Sequence, residues 1–101
     1  MEVKAGTRLK SATDSTEVMV VKAPGSDVDL RCGGHPLLAM DAEGGGAAIE
    51  PGFEEGTLVG KRYEDAAASL EILCTKGGPA SLSLGTDLLT PKGAKALPAS
   101  D

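Results

Sequence analysis

Aromatic side chains are almost absent from this chain of 101 residues, which has one Phe, one Tyr and no Trp. The chain therefore lacks a set of aromatic rings on which bases could stack, and its formal net charge of −5 repels phosphate groups. We expect no nucleic-acid partner. Hydrophobic residues make up 41% of the chain, which is enough for a globular protein, so the core must be built mainly from aliphatic side chains.

Long apolar runs are also lacking. No segment approaches the roughly 20 apolar residues that span a bilayer, and the first residues, MEVKAGTRLK, are too polar for an export signal. We therefore expect a cytoplasmic protein without a membrane partner. Its two cysteines, Cys32 and Cys74, are expected to be reduced thiols in that compartment.

Two segments of similar composition predict strands in two halves of the chain. TEVMVVKAPG, residues 16–25, is rich in β-branched residues and ends at a Pro-Gly pair that breaks a strand. SLEILCTKGGP, residues 69–79, has the same order of residue types. Both segments predict a strand that runs into a turn.

The two halves align along most of their length, which indicates an internal repeat. After the turn, LRCGGHPL at 30–37 falls on LSLGTDLL at 82–89 with a shift of 52 residues. Before the turn the shift is 54 residues, and two residues are missing from the second loop, where a deletion costs least. The identities at the shift of 54 are Gly6 with Gly60, Arg8 with Arg62, Ser15 with Ser69, Glu17 with Glu71 and Lys22 with Lys76.

This repeat predicts an all-β fold, in which two short-stranded antiparallel pseudo-repeats pack as one small sandwich-like or barrel-like domain. The first repeat covers residues 1–38 and the second covers 59–90. Residues 39–58 form a Gly-rich acidic linker, either solvated and flexible or an acidic docking surface for a basic partner. Residues 91–101 form a C-terminal tail, expected along the surface or frayed.

The frame L-x-C-G-G-x-P-L at 30–37 is similar to the closing motif of the desulforedoxin family, in which two adjacent cysteines precede Gly-x-Pro-Met. RYEDAAASLEILCTKGG at 62–78 resembles the opening of that family, with Tyr63 at the aromatic position. The resemblance implies a rubredoxin-type unit, as in the N-terminal part of desulfoferrodoxin, duplicated in tandem. Most of the metal-ligand cysteines of that unit are missing here.

The resemblance also implies where the ligands of an iron or zinc ion would lie. A tetrahedral site needs four soft or borderline ligands, so we expect the second site to be lost and the first to be incomplete. The implied ligand positions are Ser11, Asp14, Cys32 and Gly33 in the first half, and Asp65, Ala68, Leu84 and Gly85 in the second.

Three residues remain candidates for a metal site, Asp14, Cys32 and His35. Three protein ligands plus water are a known open arrangement for zinc. The alternative is an ordinary turn at His35-Pro36 and no cofactor. A structural or electron-transfer protein with zinc or iron is therefore the first alternative function.

Cys32 is the candidate for a reactive thiol, because amides of the turn could point toward its sulfur and lower its pKa. A thiol-dependent enzyme is the second alternative function, although no base partner is evident. Cys74 falls within a predicted strand and is expected to be a small buried hydrophobic residue.

Arg8 and Arg62 are matched across the repeat, and they would form an anion or partner site if the repeats pack about a pseudo-twofold axis. The alternative is that each arginine bonds the matching glutamate, Glu17 or Glu71, on the neighbouring strand.

The leading prediction is a small non-catalytic binding or accessory protein, more probably not an enzyme, with no cofactor. Self-association or a protein partner is expected, because short strands leave unpaired edges. Burial of apolar surface between the two repeats would replace the stabilising metal, since a single small unit buries too little surface to be stable alone.

Overall fold

In the computed structural model, residues 2–92 are described, and they form ten short β-strands and no helix. Accordingly, this part of the chain contains no helix long and apolar enough to cross a membrane. The predicted tail lies outside the described residues from position 93 onward. The strands are β1 Arg8–Lys10, β2 Glu17–Lys22, β3 Leu30–Cys32, β4 His35–Pro36, β5 Leu38–Ala39, β6 Arg62–Glu64, β7 Glu71–Lys76, β8 Leu82–Leu84, β9 Asp87–Leu88 and β10 Thr90–Pro91.

The strands form two antiparallel sheets, and the prediction of an all-β domain is confirmed. The larger sheet has six strands in the order β10-β6-β7-β2-β1-β5, and the smaller has four in the order β4-β3-β8-β9. If β1–β5 are matched with β6–β10, each order is the same when it is read from either end. Each sheet therefore has a pseudo-twofold axis between its two central strands.

The strands recur along the chain at the two shifts of the sequence alignment. β1 and β2 recur as β6 and β7 after 54 residues, and β3, β4 and β5 recur as β8, β9 and β10 after 52 residues. Backbone hydrogen bonds recur as well. Gly6 N donates to Val20 O at 2.7 Å, and Gly60 N donates to Cys74 O at 2.8 Å.

The contacts between the two repeats are reciprocal, as a twofold axis requires. Gly33 N donates to Ser81 O at 2.9 Å, and at the equivalent place Gly85 N donates to Asp29 O at 2.7 Å. Each repeat thus binds the other through the same backbone atoms.

The central strands β2 and β7 join the repeats in the larger sheet. Alternation along each strand directs Val18, Val20, Ile72 and Cys74 to the buried face, and the register pairs Val18 with Cys74 and Val20 with Ile72. Burial of each large aliphatic side chain stabilises the fold by about 1.5–3 kcal/mol. This pairing therefore stabilises both repeats together.

Both sheets contribute to one hydrophobic core, which is mainly aliphatic as expected. Tyr63 belongs to it, whereas Phe53 does not. The buried hydrophobic residues are Val3, Leu9, Val18, Val20, Val28, Leu30, Cys32, Leu37, Tyr63, Leu70, Ile72, Cys74, Ala80, Leu82 and Leu89.

The predicted linker, residues 39–58, is in contact with the second repeat over its last part. Phe53 O accepts a hydrogen bond from Ser81 N at 2.9 Å. Thr57 is buried, and its Oγ1 donates to Ala80 O at 2.7 Å. The segment is therefore packed against the domain at these positions, and its contacts with the first repeat are described below.

Candidate functional site

A polar turn between β1 and β2 occupies the first implied ligand positions. Asp14 Oδ2 accepts hydrogen bonds from Thr16 Oγ1 at 2.8 Å and from Ala80 N at 2.9 Å. Burial alone would raise the pKa of Asp14, but hydrogen bonds from Ser11, Ala80 and Thr16 outweigh burial, so the pKa lies below its ordinary value. The ionised carboxylate thus links this turn of the first repeat to the second repeat.

Cys32 lies in β3 at the core and is completely buried. Burial raises the pKa of its thiol to about 11, and the charge of Asp14 contributes in the same direction. Hydrogen bonds from Ser11 and Thr16 lower the pKa but do not compensate. The prediction that the turn lowers the pKa of Cys32 is therefore wrong, because no amide contact offsets its removal from water.

His35 is directed to a different task from that of Asp14 and Cys32. Its Nε2 lies 2.9 Å from Ala48 O and 3.3 Å from Glu50 Oε2. Within residues 2–92, no group of three His, Cys, Asp or Glu side chains could hold a metal ion. The structure thus places Asp14 near Cys32 but does not bring the three candidate ligands together.

The donor set also does not fit a tetrahedral iron or zinc centre. The thiol of Cys32 is protonated at neutral pH, and the carboxylate of Asp14 is already bonded to Thr16 and Ala80. The fourth implied position is Gly33, which has no side chain. Such sites depend on thiolate and imidazole donors, which are lacking here.

The equivalent turn of the second repeat is closed by Asp65. This carboxylate accepts hydrogen bonds from Ser69 N at 2.9 Å, Ser69 Oγ at 2.9 Å and Leu70 N at 3.1 Å. Burial raises the pKa of Asp65, but these bonds outweigh burial and hold the pKa below its ordinary value. Asp65 therefore stabilises the turn as an ionised hydrogen-bond acceptor.

The two matched arginines lie on β1 and β6, which are separated by two strands in the sheet. Three strand spacings place the backbones of Arg8 and Arg62 roughly 14 Å apart, too far for one small anion to bridge. Arg62 Nη1 instead bonds Glu71 Oε2 at 3.3 Å, and Glu71 Oε1 also accepts from Lys92 Nζ at 2.8 Å. No corresponding bond joins Arg8 to Glu17 in the described part of the chain.

A cavity of about 520 Å³ opens beside β3 and the segment that follows β5. Its charged side chains already form pairs. Arg31 Nε contacts Asp29 Oδ1 at 2.9 Å, and His35 contacts Glu50 at 3.3 Å. The cavity therefore offers little free charge for binding an ion.

Part of the predicted linker covers one end of the first repeat, and we call residues 47–53, AAIEPGF, the covering segment. Two backbone hydrogen bonds attach it. Ala47 N donates to Ala12 O at 3.0 Å, and Glu50 N donates to Gly33 O at 2.9 Å. The covering segment thus behaves as an extended peptide bound to the surface of the repeat.

Gly34 allows the covering segment to approach closely. Its φ of +86° is a conformation that L side chains rarely adopt, and a Cβ at this position would collide with the side chain of Glu50. Ile49, the aliphatic residue of the segment, packs against the hydrophobic core. Turn geometry and apolar burial therefore both favour this placement.

The equivalent end of the second repeat is uncovered, and its seven lining residues surround a cavity of about 270 Å³ that we call the open groove. Ala66 stands where Ala12 stands in the first repeat, and Asp87 stands where His35 stands. The Ala66 carbonyl accepts no hydrogen bond from any described residue. The lining residues are Asp65, Ala66, Ala67, Leu84, Asp87, Leu88 and Leu89.

The exposure of matched residues supports this difference between the two ends. Five of the seven groove residues are more exposed than their counterparts in the first repeat. Leu88 is 39% exposed, although it is a large aliphatic residue. The five pairs are Ser11 with Asp65, Ala12 with Ala66, Thr13 with Ala67, Cys32 with Leu84 and His35 with Asp87.

Sequence reasoning did not predict either end. The Gly triplet at 44–46 favoured a flexible connection, and it drew attention away from Ile49 and Phe53, the two large apolar residues that follow it. Those two residues were the available signal for a packed segment. Comparisons of the chain with protein-family models, with curated proteins and with solved structures gave no match.

Proposed function

We propose that this chain is a non-catalytic binding protein, built on a duplicated scaffold similar to desulforedoxin. In this proposal, the open groove binds an extended polypeptide segment of a partner protein. The observation that carries the proposal is the covering segment, which is bound in this manner at the equivalent end of the first repeat. The chain therefore contains a template for the occupant of its own open groove.

The groove has the features of a peptide site. Leu84 and Leu88 supply apolar surface, and the small side chains of Ala66 and Ala67 leave the backbone accessible. The carbonyl of Ala66 is an available acceptor at the place where Ala12 O accepts from Ala47 N. Extended peptides commonly gain affinity from such main-chain bonds and specificity from side-chain contacts.

The environment of the thiols favours binding over catalysis. Cys32 and Cys74 are both buried, and burial raises the pKa of both thiols. A nucleophile must be reached by its substrate and must be ionised or paired with a base. Neither condition is met by these two residues.

The test uses a synthetic peptide with blocked ends, AAIQPGF, which is the covering segment with Gln in place of Glu50. Titration into the isotope-labelled full chain, followed by NMR, should shift the amide signals of Ala66, Leu84 and Leu88. A peptide of this size loses much of its interaction energy to ordering, so we expect a Kd on the order of 1 mM.

A variant that fills the groove provides the control. Ala66→Tyr places a bulky ring at an exposed turn position and should abolish the shifts, whereas Ala5→Tyr, at an exposed position on the first repeat, should not. If the peptide shifts no groove signals, or if Ala66→Tyr binds it equally well, the proposed function is wrong.

A further inference from the structure

We infer that the partner segment carries a lysine or arginine where the covering segment carries Glu50, and that Asp87 selects this basic residue. The inference rests on the proposed function, and it adds the chemical class of the partner. It comes from a reversal of charge between equivalent positions of the two repeats.

In the first repeat, the charged contact joins a histidine of the domain to a glutamate of the bound segment. His35 Nε2 lies 3.3 Å from Glu50 Oε2, with 33% of the histidine side chain and 52% of the glutamate side chain exposed. The same nitrogen lies 2.9 Å from Ala48 O. His35 therefore contacts both the backbone and the acidic side chain of the covering segment.

In the second repeat, Asp87 occupies the position of His35 on the equivalent strand β9. Asp87 is exposed, and it forms no hydrogen bond or ion pair with any residue in the range 2–92. A glutamate placed opposite it, as Glu50 is placed opposite His35, would be repelled. A lysine or arginine at that place would be attracted.

No other side chain lining the groove compensates for this charge. The second ionisable residue is Asp65, whose depressed pKa keeps it ionised at neutral pH, and the remaining lining residues are Ala or Leu. The groove thus carries two negative charges and no positive charge. Rim charges of this kind contribute to the choice of partner more than to the total affinity.

The covering segment also indicates which residues surround the basic one. Small residues at 47 and 48 allow the backbone to approach the surface, and Ile49 reaches the core. The groove offers Ala66 and Leu84 at the corresponding places. The partner segment is therefore expected to be extended, with small residues and one aliphatic residue before the basic residue.

The experiment compares three blocked peptides that differ only at the fourth position, AAIKPGF, AAIQPGF and AAIEPGF. Each is titrated by NMR into the full chain and into Asp87→Lys, with Asp87→Asn as a neutral control. A half-exposed ion pair changes affinity by about two- to fivefold. The full chain should therefore bind the Lys peptide about two- to fivefold more tightly than the Gln peptide, and the Glu peptide more weakly.

Asp87→Lys should reverse this order, and Asp87→Asn should remove it. Unchanged signals outside the groove will establish that both variants remain folded. If the three peptides bind equally, or if Asp87→Lys keeps the original order, the inference is wrong. Equal binding of all three peptides in the groove would nevertheless leave the proposed function supported, so the two failures can be distinguished.

Two other occupants have distinct results. If Lys95→Ala in the full chain strengthens binding of the Lys peptide severalfold, the C-terminal residues of the same chain compete for the groove. If the groove signals of the free protein change with its concentration, a second copy occupies the groove. Either result would overturn a separate partner protein.

Discussion

Cys32 illustrates how the chemistry of one residue changes with its environment. The resemblance to desulforedoxin places it at a ligand position, yet it is completely buried and its pKa is raised to about 11. Its neighbours Ser11, Asp14 and Thr16 form hydrogen bonds with one another where a metal site would need further soft donors. The thiol therefore contributes to the core as a small apolar group.

We predict that neither thiol reacts in the native protein. At about pH 8, a thiol of pKa about 11 is ionised in roughly one molecule in a thousand, and burial further excludes the reagent. Mass spectrometry after treatment with iodoacetamide should detect almost no labelled chain, whereas the same treatment in guanidinium should label both cysteines. Labelling of Cys32 in the native protein at the rate of a free thiol would revive the thiol-enzyme alternative.

At the scale of elements, the turn between β1 and β2 connects the two repeats through one carboxylate. Asp14 accepts hydrogen bonds from Thr16 in its own turn and from Ala80, which precedes β8. Ser15 Oγ also donates to Gly77 O at 3.1 Å, close to the same place. The turn is therefore part of the interface between the repeats.

We predict that Asp14→Ala lowers the free energy of unfolding by about 1.5–3 kcal/mol at neutral pH, because several hydrogen bonds to a charged acceptor are lost. The pKa of Asp14 is depressed in the folded state, so its contribution is fully present above the ordinary value of 3.8 and is lost as the pH falls through the folded pKa. Urea unfolding at several pH values should therefore give a difference between wild type and variant that shrinks in acid.

The control for Asp14 is Asp41→Ala, since Asp41 is exposed and forms no side-chain hydrogen bond within the described residues. It should change stability by less than about 0.5 kcal/mol at every pH. A difference between wild type and Asp14→Ala that grows as the pH falls would contradict the assigned role of the carboxylate.

The elements also show what the sequence can predict. The strands β2 and β7 were predictable because β-branched residues and Pro or Gly breakers act locally. The covering segment was not, because its bonds to Ala12 and Gly33 depend on residues distant in sequence and have no local periodicity. The metal candidates failed to converge for a similar reason, since the position of His35 was decided by its contact with Ala48.

The open groove could be found only at the level of matched pairs. The alignment already placed Asp87 on His35 and Leu84 on Cys32. What it could not provide was the knowledge that one end is covered by another segment and the other is not. That difference depends on the tertiary path of residues 47–53.

At the scale of the whole molecule, both sheets are continuous across the two repeats. The pairing of β2 with β7 completes the larger sheet, and the pairing of β3 with β8 completes the smaller one. Separating the repeats would expose Val18, Val20 and Ile72 to water and leave four strand edges unpaired. A repeat by itself therefore lacks both a complete sheet and a closed core.

We predict that the chain divided within the Gly triplet, into fragments 1–45 and 46–101, folds only when the fragments are combined. Each fragment alone should give an NMR spectrum with poorly dispersed amide signals. An equimolar mixture should recover the dispersion of the intact chain, and the recovery should increase with concentration, because folding has become bimolecular. Fragment 1–45 at twice the concentration is the matched control and should remain unfolded, since it lacks the covering segment and the partner strands β7 and β8. If either fragment folds alone, the two repeats are independent units, and shared burial does not explain how the scaffold is stable without a metal.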